Sequence, residues 1–294
     1  MAARIAASMC GAPPDPVAAW IDMNVAEHVE ARPAPALRPY VRRYSGYHYR
    51  GFAPGVHLGL PSSALTVVIS FDEPTLVALS PGEPPTGYAA LASGLSLAPA
   101  FIHHDGAQYG VQLDLTPAGA RALFGVPAAA LAAAVLPLDL EPLTDRLRTA
   151  SWPERFTLLD AALTARLRPA DAAPELVYAW QRVQRSGGDL RVGELAAETG
   201  WSRRTLCSRF TAEYGVGPKD ALRLARFGRS RRLVQRIDRP ALAEVAAACG
   251  YHDQAHLARE WREFAGVAPS RWLAAEELPI STSQDGSAAA TLEP

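Results

Sequence analysis

One pattern occurs twice between Leu190 and Trp272, and it leaves few folds open to that part of the chain. The first copy is VGELAAETGWSRRTLCSRFTAEYGVGP, Val192 to Pro218. The second is LAEVAAACGYHDQAHLAREWREFAGVAP, Leu242 to Pro269. In the first, Val192, Leu195, Ala196 and Thr199 recur at helical spacing and give a short helix one apolar face. Gly200 ends that helix, because a left-handed residue at a helix C-terminus is least strained as glycine. Ser202 is then placed as the N-cap of a second helix that buries Leu206 and Phe210, with Tyr214 near its end. Ala196 is small enough for close approach of the two helices across a tight helix-turn-helix corner. The second copy repeats the arrangement with Val245, Ala246, Gly250, Tyr251, Leu257, Trp261 and Phe264, and its cap is Asp253 or His252.

A single helix-turn-helix match is a weak signal, since many helical hairpins mimic it. Here Gly200 corresponds to Gly250, Trp201 to Tyr251 and Phe210 to Trp261. Gly215-Val216-Gly217-Pro218 corresponds to Gly266-Val267-Ala268-Pro269, so the offset grows from 50 to 51 residues. Two copies separated by one helix, both closing on G-V-x-P, are a specific signal. Between them Pro218 opens a helix predicted over about Lys219 to Ile237, with Leu222, Ala225, Arg226, Arg229, Leu233 and Val234 along it. A helix of roughly 19 residues spans about 28 Å. That is close to one turn of B-DNA and would hold two reading helices in successive major grooves of one duplex face.

These residues resemble the AraC/XylS family of bacterial transcription regulators. The resemblance rests on Leu195-Ala196, Gly200, Ser202, Leu206, Arg209-Phe210, Gly215, Pro218, Arg226 and Leu233 in the first half. In the second half it rests on Val245-Ala246, Gly250-Tyr251, Asp253-Gln254, His256-Leu257, Arg259, Trp261, Gly266, Pro269 and Trp272. It covers about a third of the chain. Two positions depart from it: Ser230 stands where the family usually has alanine, and Trp261 where it usually has phenylalanine. The resemblance implies a DNA-binding domain behind a cupin-like sensor domain. At Arg209 and Arg226 it implies ion pairs that tie helices together.

Charge distribution points the same way. From Pro174 to Ala275 there are 16 Arg and 1 Lys against 11 acidic residues, whereas the whole chain carries a net charge of −1. The near-neutral total therefore hides a basic C-terminal part able to collect phosphate contacts. The candidate DNA-binding residues are Ser202, Arg203, Arg204, Thr205, Cys207 and Ser208 in the first motif. In the second they are Asp253, Gln254, Ala255, His256 and Arg259. Side chains near the start of a recognition helix reach base edges. Carried over position by position, the resemblance implicates Arg204, Cys207 and Ser208 most. Arginine can bond guanine through two donors, and Gln254 suits adenine. Cys207 offers an apolar contact such as one to a thymine methyl. His256 serves either as a phosphate contact or as a ring packed on a neighbour.

Upstream, 294 residues suggest two domains. Residues 1–27 read as a flexible tail: an Ala-rich run broken by Gly11, Pro13 and Pro14 is too short for a secretory signal. Residues 28–168 read as a sensor or dimerisation domain, β-rich from Ala36 to about Gln112 and helical from Pro117 to Pro169. Aromatic and polar residues alternate over Tyr40 to Gly51, and Leu65 to Phe71 is a continuous apolar strand. A small barrel of such strands encloses a natural small-molecule pocket. Thr116 is placed as N-cap before Pro117. Phe156, Leu159, Leu163 and Leu167 form one stripe, for packing on the barrel or for dimerisation. Residues 169–174 form a linker, 175–275 the DNA-binding domain and 276–294 a flexible C-terminal tail.

His48, His57 and His103-His104-Asp105 raise a rival chemistry, a cupin-type metal enzyme. Adjacent histidines on a strand point to opposite faces, and no H-x-H spacing occurs, so no metal site or cofactor is assigned. There is no Ser/His/Asp constellation, phosphate-binding glycine loop or nucleotide fingerprint, and the chain is read as a non-enzyme. Three cysteines, Cys10, Cys207 and Cys249, without metal-like spacing fit free thiols in a reducing cytosol. No apolar run reaches membrane-spanning length. The fold class expected is α+β, a cupin-like β-barrel or sandwich followed by helices and then an all-α domain. The function expected is a cytoplasmic, nucleoid-associated regulator that binds double-stranded DNA. RNA polymerase, a small-molecule effector and a second copy of the chain are further expected partners. The alternative is an effector-independent regulator whose N-terminal domain only dimerises or binds a protein.

Overall fold

Residue alternation along VRRYSGYHYR (β2, Val41–Arg50) decides the architecture of the first half. Arg43 and Tyr47 face a cavity, while Tyr44 and Gly46 face a helix on the other side of the sheet. The computed structural model describes residues 25–169, 172–236, 238–275 and 290–291. The strands are β1 (Val25–Ala31), β2, β3 (Gly55–Gly59), β4 (Leu65–Ser70), β5 (Thr75–Ala78), β6 (Thr86–Tyr88), β7 (Ala90–Ser93), β8 (Ala100–His104), β9 (Gln108–Leu115), β10 (Val135–Pro137) and β11 (Ala290–Thr291). They form a large sheet, β10-β7-β4-β9-β2-β1-β11, and a smaller one, β3-β8-β5-β6. Every pairing is antiparallel except the short β1–β11 contact.

The apolar core lies on the outer face of the large sheet. Tyr44, Val67, Ile69, Val111 and Leu113 are buried there against Trp152, Phe156 and Leu159 of α3 (Trp152–Thr164). The Tyr44 and Phe156 rings stack at 5.9 Å, and the Tyr44 hydroxyl donates to Asp160 at 2.8 Å. Gly46 permits this approach, since a Cβ there would lie 2.3 Å from the Trp152 ring. Each such aromatic side chain buried contributes about 1.5–3 kcal/mol. Arg155, also buried, stacks on Phe71, Tyr109 and Trp152 and donates to the Leu147 carbonyl at 2.7 Å.

The helices are α1 (Pro117–Gly119), α2 (Glu141–Thr149), α3, α4 (Pro174–Ser186), α5 (Val192–Glu198), α6 (Arg203–Tyr214), α7 (Pro218–Val234), α8 (Leu242–Ala248), α9 (Gln254–Ala265) and α10 (Pro269–Ala275). Among the described residues none is long and apolar enough to cross a membrane. The α+β architecture is as expected from the sequence, with local differences.

The first strand starts at Val25, inside the stretch read as a tail, because residues 25–31 pair along β2; residues 1–24 lie outside the described residues. The stretch from Pro117 to Pro169 is not all helical. After the π-helical turn Ala120–Phe124 and the 3-10 turn Ala128–Leu131, β10 returns to the sheet beside β7. Thr116 does not cap α1; its hydroxyl donates to the Pro39 carbonyl at 2.8 Å instead. Pro174, read as linker, is the first residue of α4, and residues 170–171 lie outside the described residues. The long helix ends at Val234, and Ile237 lies outside the described residues. At the C-terminus Ala290–Thr291 pair with Val29 and Glu30, so the stretch read as a tail includes a strand; residues 276–289 and 292–294 lie outside the described residues.

Candidate nucleic-acid interface

The two motifs close in the same way, bond for bond. The Trp201 amide donates to the Ala196 carbonyl and the Tyr251 amide to the Ala246 carbonyl, both at 3.0 Å. Gly200 (φ 70°) and Gly250 (φ 73°) supply the left-handed residue of each turn. Ser202 Oγ accepts the Thr205 amide at 3.1 Å, and Asp253 Oδ1 accepts the His256 amide at 2.6 Å. This bond and the neighbouring His252 ring hold the Asp253 carboxyl below its ordinary pKa. Asp253 is therefore the cap of α9, and His252 is not. Gly215 (φ 79°) and Gly266 (φ 72°) end the second helix of each motif, α6 and α9.

Below these turns Leu206 and Phe210 are fully buried, as are Leu257 and Trp261 in the second motif. Between the motifs α7 has 17 residues, about 25 Å of helix. Its Leu224 and Phe227 pack with Trp261, Phe264 and Trp272 of the second motif, while Ala221, Leu222 and Ala225 join the first. Both departures from the family pattern sit here and touch each other. Trp261 Nε1 donates to Ser230 Oγ at 2.9 Å, and that hydroxyl donates to the Phe227 carbonyl at 2.8 Å.

Among the described residues, the two arginines expected to form ion pairs make none. Arg209 lies over the Trp201 ring at 4.8 Å. Arg226 donates to the Gly188 carbonyl at 3.2 Å and faces the Tyr251 ring at 5.5 Å. A guanidinium is planar and weakly hydrated, so rings and carbonyls satisfy it where no carboxylate is in reach. The ion pairs fall elsewhere. Arg182 makes a two-bond fork to Glu198, at 2.7 and 2.8 Å, and Arg223 binds Glu260 and Glu263. The Arg182 bonds hold Glu198 down to about 2.

Of the sequence-predicted residues, Arg204, Cys207 and Ser208 on α6 and Gln254, Ala255 and Arg259 on α9 are exposed. The side chains of Arg204, Cys207, Ser208, Gln254 and Arg259 make no hydrogen bond among the described residues. The others are partly engaged. Ser202 and Asp253 hold their caps, and the Thr205 hydroxyl sits 2.8 Å from Ser202 Oγ. Arg203 folds back over α5, close enough that a Cβ on Gly193 would lie 2.5 Å from its guanidinium. His256 meets the Tyr251 ring edge-on at 5.2 Å and accepts the His252 amide at 3.3 Å, so it packs on its neighbour.

A cleft of about 630 Å³ that no motif marks lies between the two halves, where Arg191 and Lys219 join His256 and Arg259 beside Glu260 and Glu263. The only signal was a lysine following Pro218 in a chain otherwise rich in arginine.

A second cavity, about 360 Å³, lies between the two sheets and reaches α7. Arg43, Tyr47, Gln112 and Asp114 line one wall, His57, Val77 and Ile102 the other, and Gly228, Arg231 and Arg232 of α7 its mouth. Inside, Arg43 donates to Asp114 at 2.8 Å. His103 and His104 line a different opening, beside Tyr49 and Tyr109. Among the described residues no three His, Cys, Asp or Glu side chains converge as metal ligands.

Comparison with known proteins agrees with this geometry. Residues 195–275 match a helix-turn-helix domain model. No curated protein matches the chain. Among solved structures, apo ToxT from Vibrio cholerae is similar at 10% identity, covering 78% of this chain and 96% of its own, with a TM-score of 0.52. A transcriptional regulator from Chromobacterium violaceum, described by its AraC-type DNA-binding domain, is similar at 24% identity, over 38% of this chain and 96% of its own, with a TM-score of 0.33. At these identities the likeness to ToxT is one of fold. Residues 195–275 are a helix-turn-helix domain, and the chain as a whole is similar in fold to ToxT.

Proposed function

We propose that this protein is a sequence-specific transcription regulator that reads DNA with α6 and α9 and is controlled by a small molecule in the intersheet cavity. The observation that carries the DNA reading is the pair of equivalent capped helices on one rigid α7, with Arg204, Cys207, Ser208, Gln254 and Arg259 at the surface and free of internal hydrogen bonds. Phosphate contacts come from the basic surface around Arg191, Lys219 and Arg259. Support for a ligand comes from the cavity itself. Its volume lies within the roughly 300–1,000 Å³ usual for small-molecule sites. Its lining is mixed, with Val77, Leu91 and Ile102 beside Arg43, Gln112 and Asp114, and α7 contributes Gly228, Arg231 and Arg232. RNA polymerase contact and pairing of two copies are parts of the same proposal.

Fluorescence anisotropy against DNA from upstream of its own gene, with a scrambled duplex as control and salt titrated, tests the DNA reading. Preference for the native duplex and a steep loss of affinity with salt are expected. Arg204→Ala should cost roughly 1–3 kcal/mol of specific binding and relax one base position. An unchanged ratio of specific to random binding refutes the role given to Arg204. A ligand screen by melting temperature tests the cavity, since a bound effector stabilises the native state.

A further inference from the structure

We propose that the segment Ala128–Ala134 relays occupancy of the intersheet cavity to the first recognition helix. The inference rests on the reading of that cavity as an effector site and names the route by which its occupant acts.

The segment has two faces. On one, Ala133, Ala134 and Val135 line the cavity beside Ser93 and Gly94. On the other, Ala129 and Ala132 receive the C-terminal end of α6. A Cβ on Gly215 would lie 2.3 Å from Ala132 Cβ and 3.1 Å from Ala129 Cα, so the two backbones meet without slack. The same end of α6 is held by a fork from Arg121, on the π-helical turn, to the buried Glu213, at 2.7 and 2.6 Å. Between the two faces Ala133 has φ 51°, a left-handed conformation that strains a residue bearing a Cβ. Its amide is tied to the Leu95 carbonyl at 3.0 Å, and the Leu131 carbonyl accepts from Gly94 at 2.9 Å. The segment is thus anchored to the cavity wall, strained at Ala133 and pressed against α6. Packed interiors pass a displacement on rather than absorb it. A ligand pushing on Ala134 or Val135 moves Ala129 and Ala132, and α6 moves with them.

Hydrogen exchange of the full chain tests this without ligand or DNA, so its outcome is independent of whether an effector exists. Ser93→Phe places a ring in the cavity next to Val135, its partner across β7 and β10. Thr75→Phe fills the opposite wall, on β5. Exchange of the amides from Phe210 to Gly215 is expected to change about tenfold in Ser93→Phe and to stay near the wild-type rate in Thr75→Phe. Ala134→Leu serves in place of Ser93→Phe if that variant does not fold. Ala133→Gly lets the segment absorb the push and should suppress the response. Equal exchange in Ser93→Phe and wild type overturns the proposal. So does an equal response to Thr75→Phe, or a response that survives Ala133→Gly.

Discussion

Ser230 and Trp261 test whether the packing account is quantitative. Both side chains are fully buried, and their mutual bond is 2.9 Å long. Ser230→Ala leaves the indole N–H without an acceptor in the interior, which costs about 1–3 kcal/mol. Trp261→Phe removes the donor and leaves the serine hydroxyl bonded to the Phe227 carbonyl, but it empties space among Phe227, Phe264 and Trp272, at a cost of about 1–2 kcal/mol. In the Trp261→Phe background, Ser230→Ala deletes a hydroxyl that meets the Phe227 carbonyl within α7 and the Tyr251 hydroxyl, which keeps its bond to Glu260, so its cost falls below that in the wild type. The double variant is therefore expected to be more stable than the sum of the single changes implies, by about 1–2 kcal/mol. Urea denaturation followed by far-ultraviolet circular dichroism, with a shared slope for all four proteins, measures this coupling. A coupling below about 0.5 kcal/mol, or a Ser230→Ala variant as stable as wild type, refutes the argument that the two departures compensate each other.

The two left-handed glycines separate strain from contact. Gly250→Ala meets open space and should cost about 1 kcal/mol, whereas Gly215→Ala must also displace Ala132 and should cost at least ~1 kcal/mol more; equal losses in urea denaturation contradict the docking of α6 on the first domain. Glu198 is held down to about 2 in the folded protein, so its fork stabilises fully above the ordinary value of 4.5 and is lost as pH falls through the folded value. The gap in melting temperature between wild type and Glu198→Gln should therefore close between pH 4.5 and about 2, and a gap independent of pH removes the ion pair as its cause. Cys207 is exposed on α6 while Cys249 is buried. Alkylation should abolish DNA binding in wild type, be slowed by bound DNA, and leave Cys207→Ser unaffected; loss of binding in that variant too places the sensitive thiol elsewhere.

The helix-turn-helix repeat was legible because its signals are local. Gly200, Ser202, Gly250 and Asp253 act within three or four residues, and the apolar positions follow one helical period. Arg209 and Arg226 were misread because their partners, the Trp201 ring and the Gly188 carbonyl, are set by tertiary approach that no spacing encodes. The bond between Ser230 and Trp261 spans 31 residues, so each departure was visible while their relation was not. In the first domain, β10 hid in an alanine-rich stretch of good helical propensity. Its place at the sheet edge is decided by pairing with β7, a tertiary effect. The cavity, with α7 at its mouth, was likewise out of reach of the sequence, which could suggest a barrel pocket but not what closes it.

In the proposed function α6 and α9 read DNA together across one rigid α7. Selecting duplexes from a random pool with the purified protein, and sequencing those retained, tests it most directly. An asymmetric site is expected, with two boxes centred about one helical turn, 10–10.5 base pairs, apart. Arg204→Ala is expected to degrade only the box read by α6 and Gln254→Ala only the box read by α9. No enriched sequence, a single box, or a palindrome with free spacing contradicts this reading.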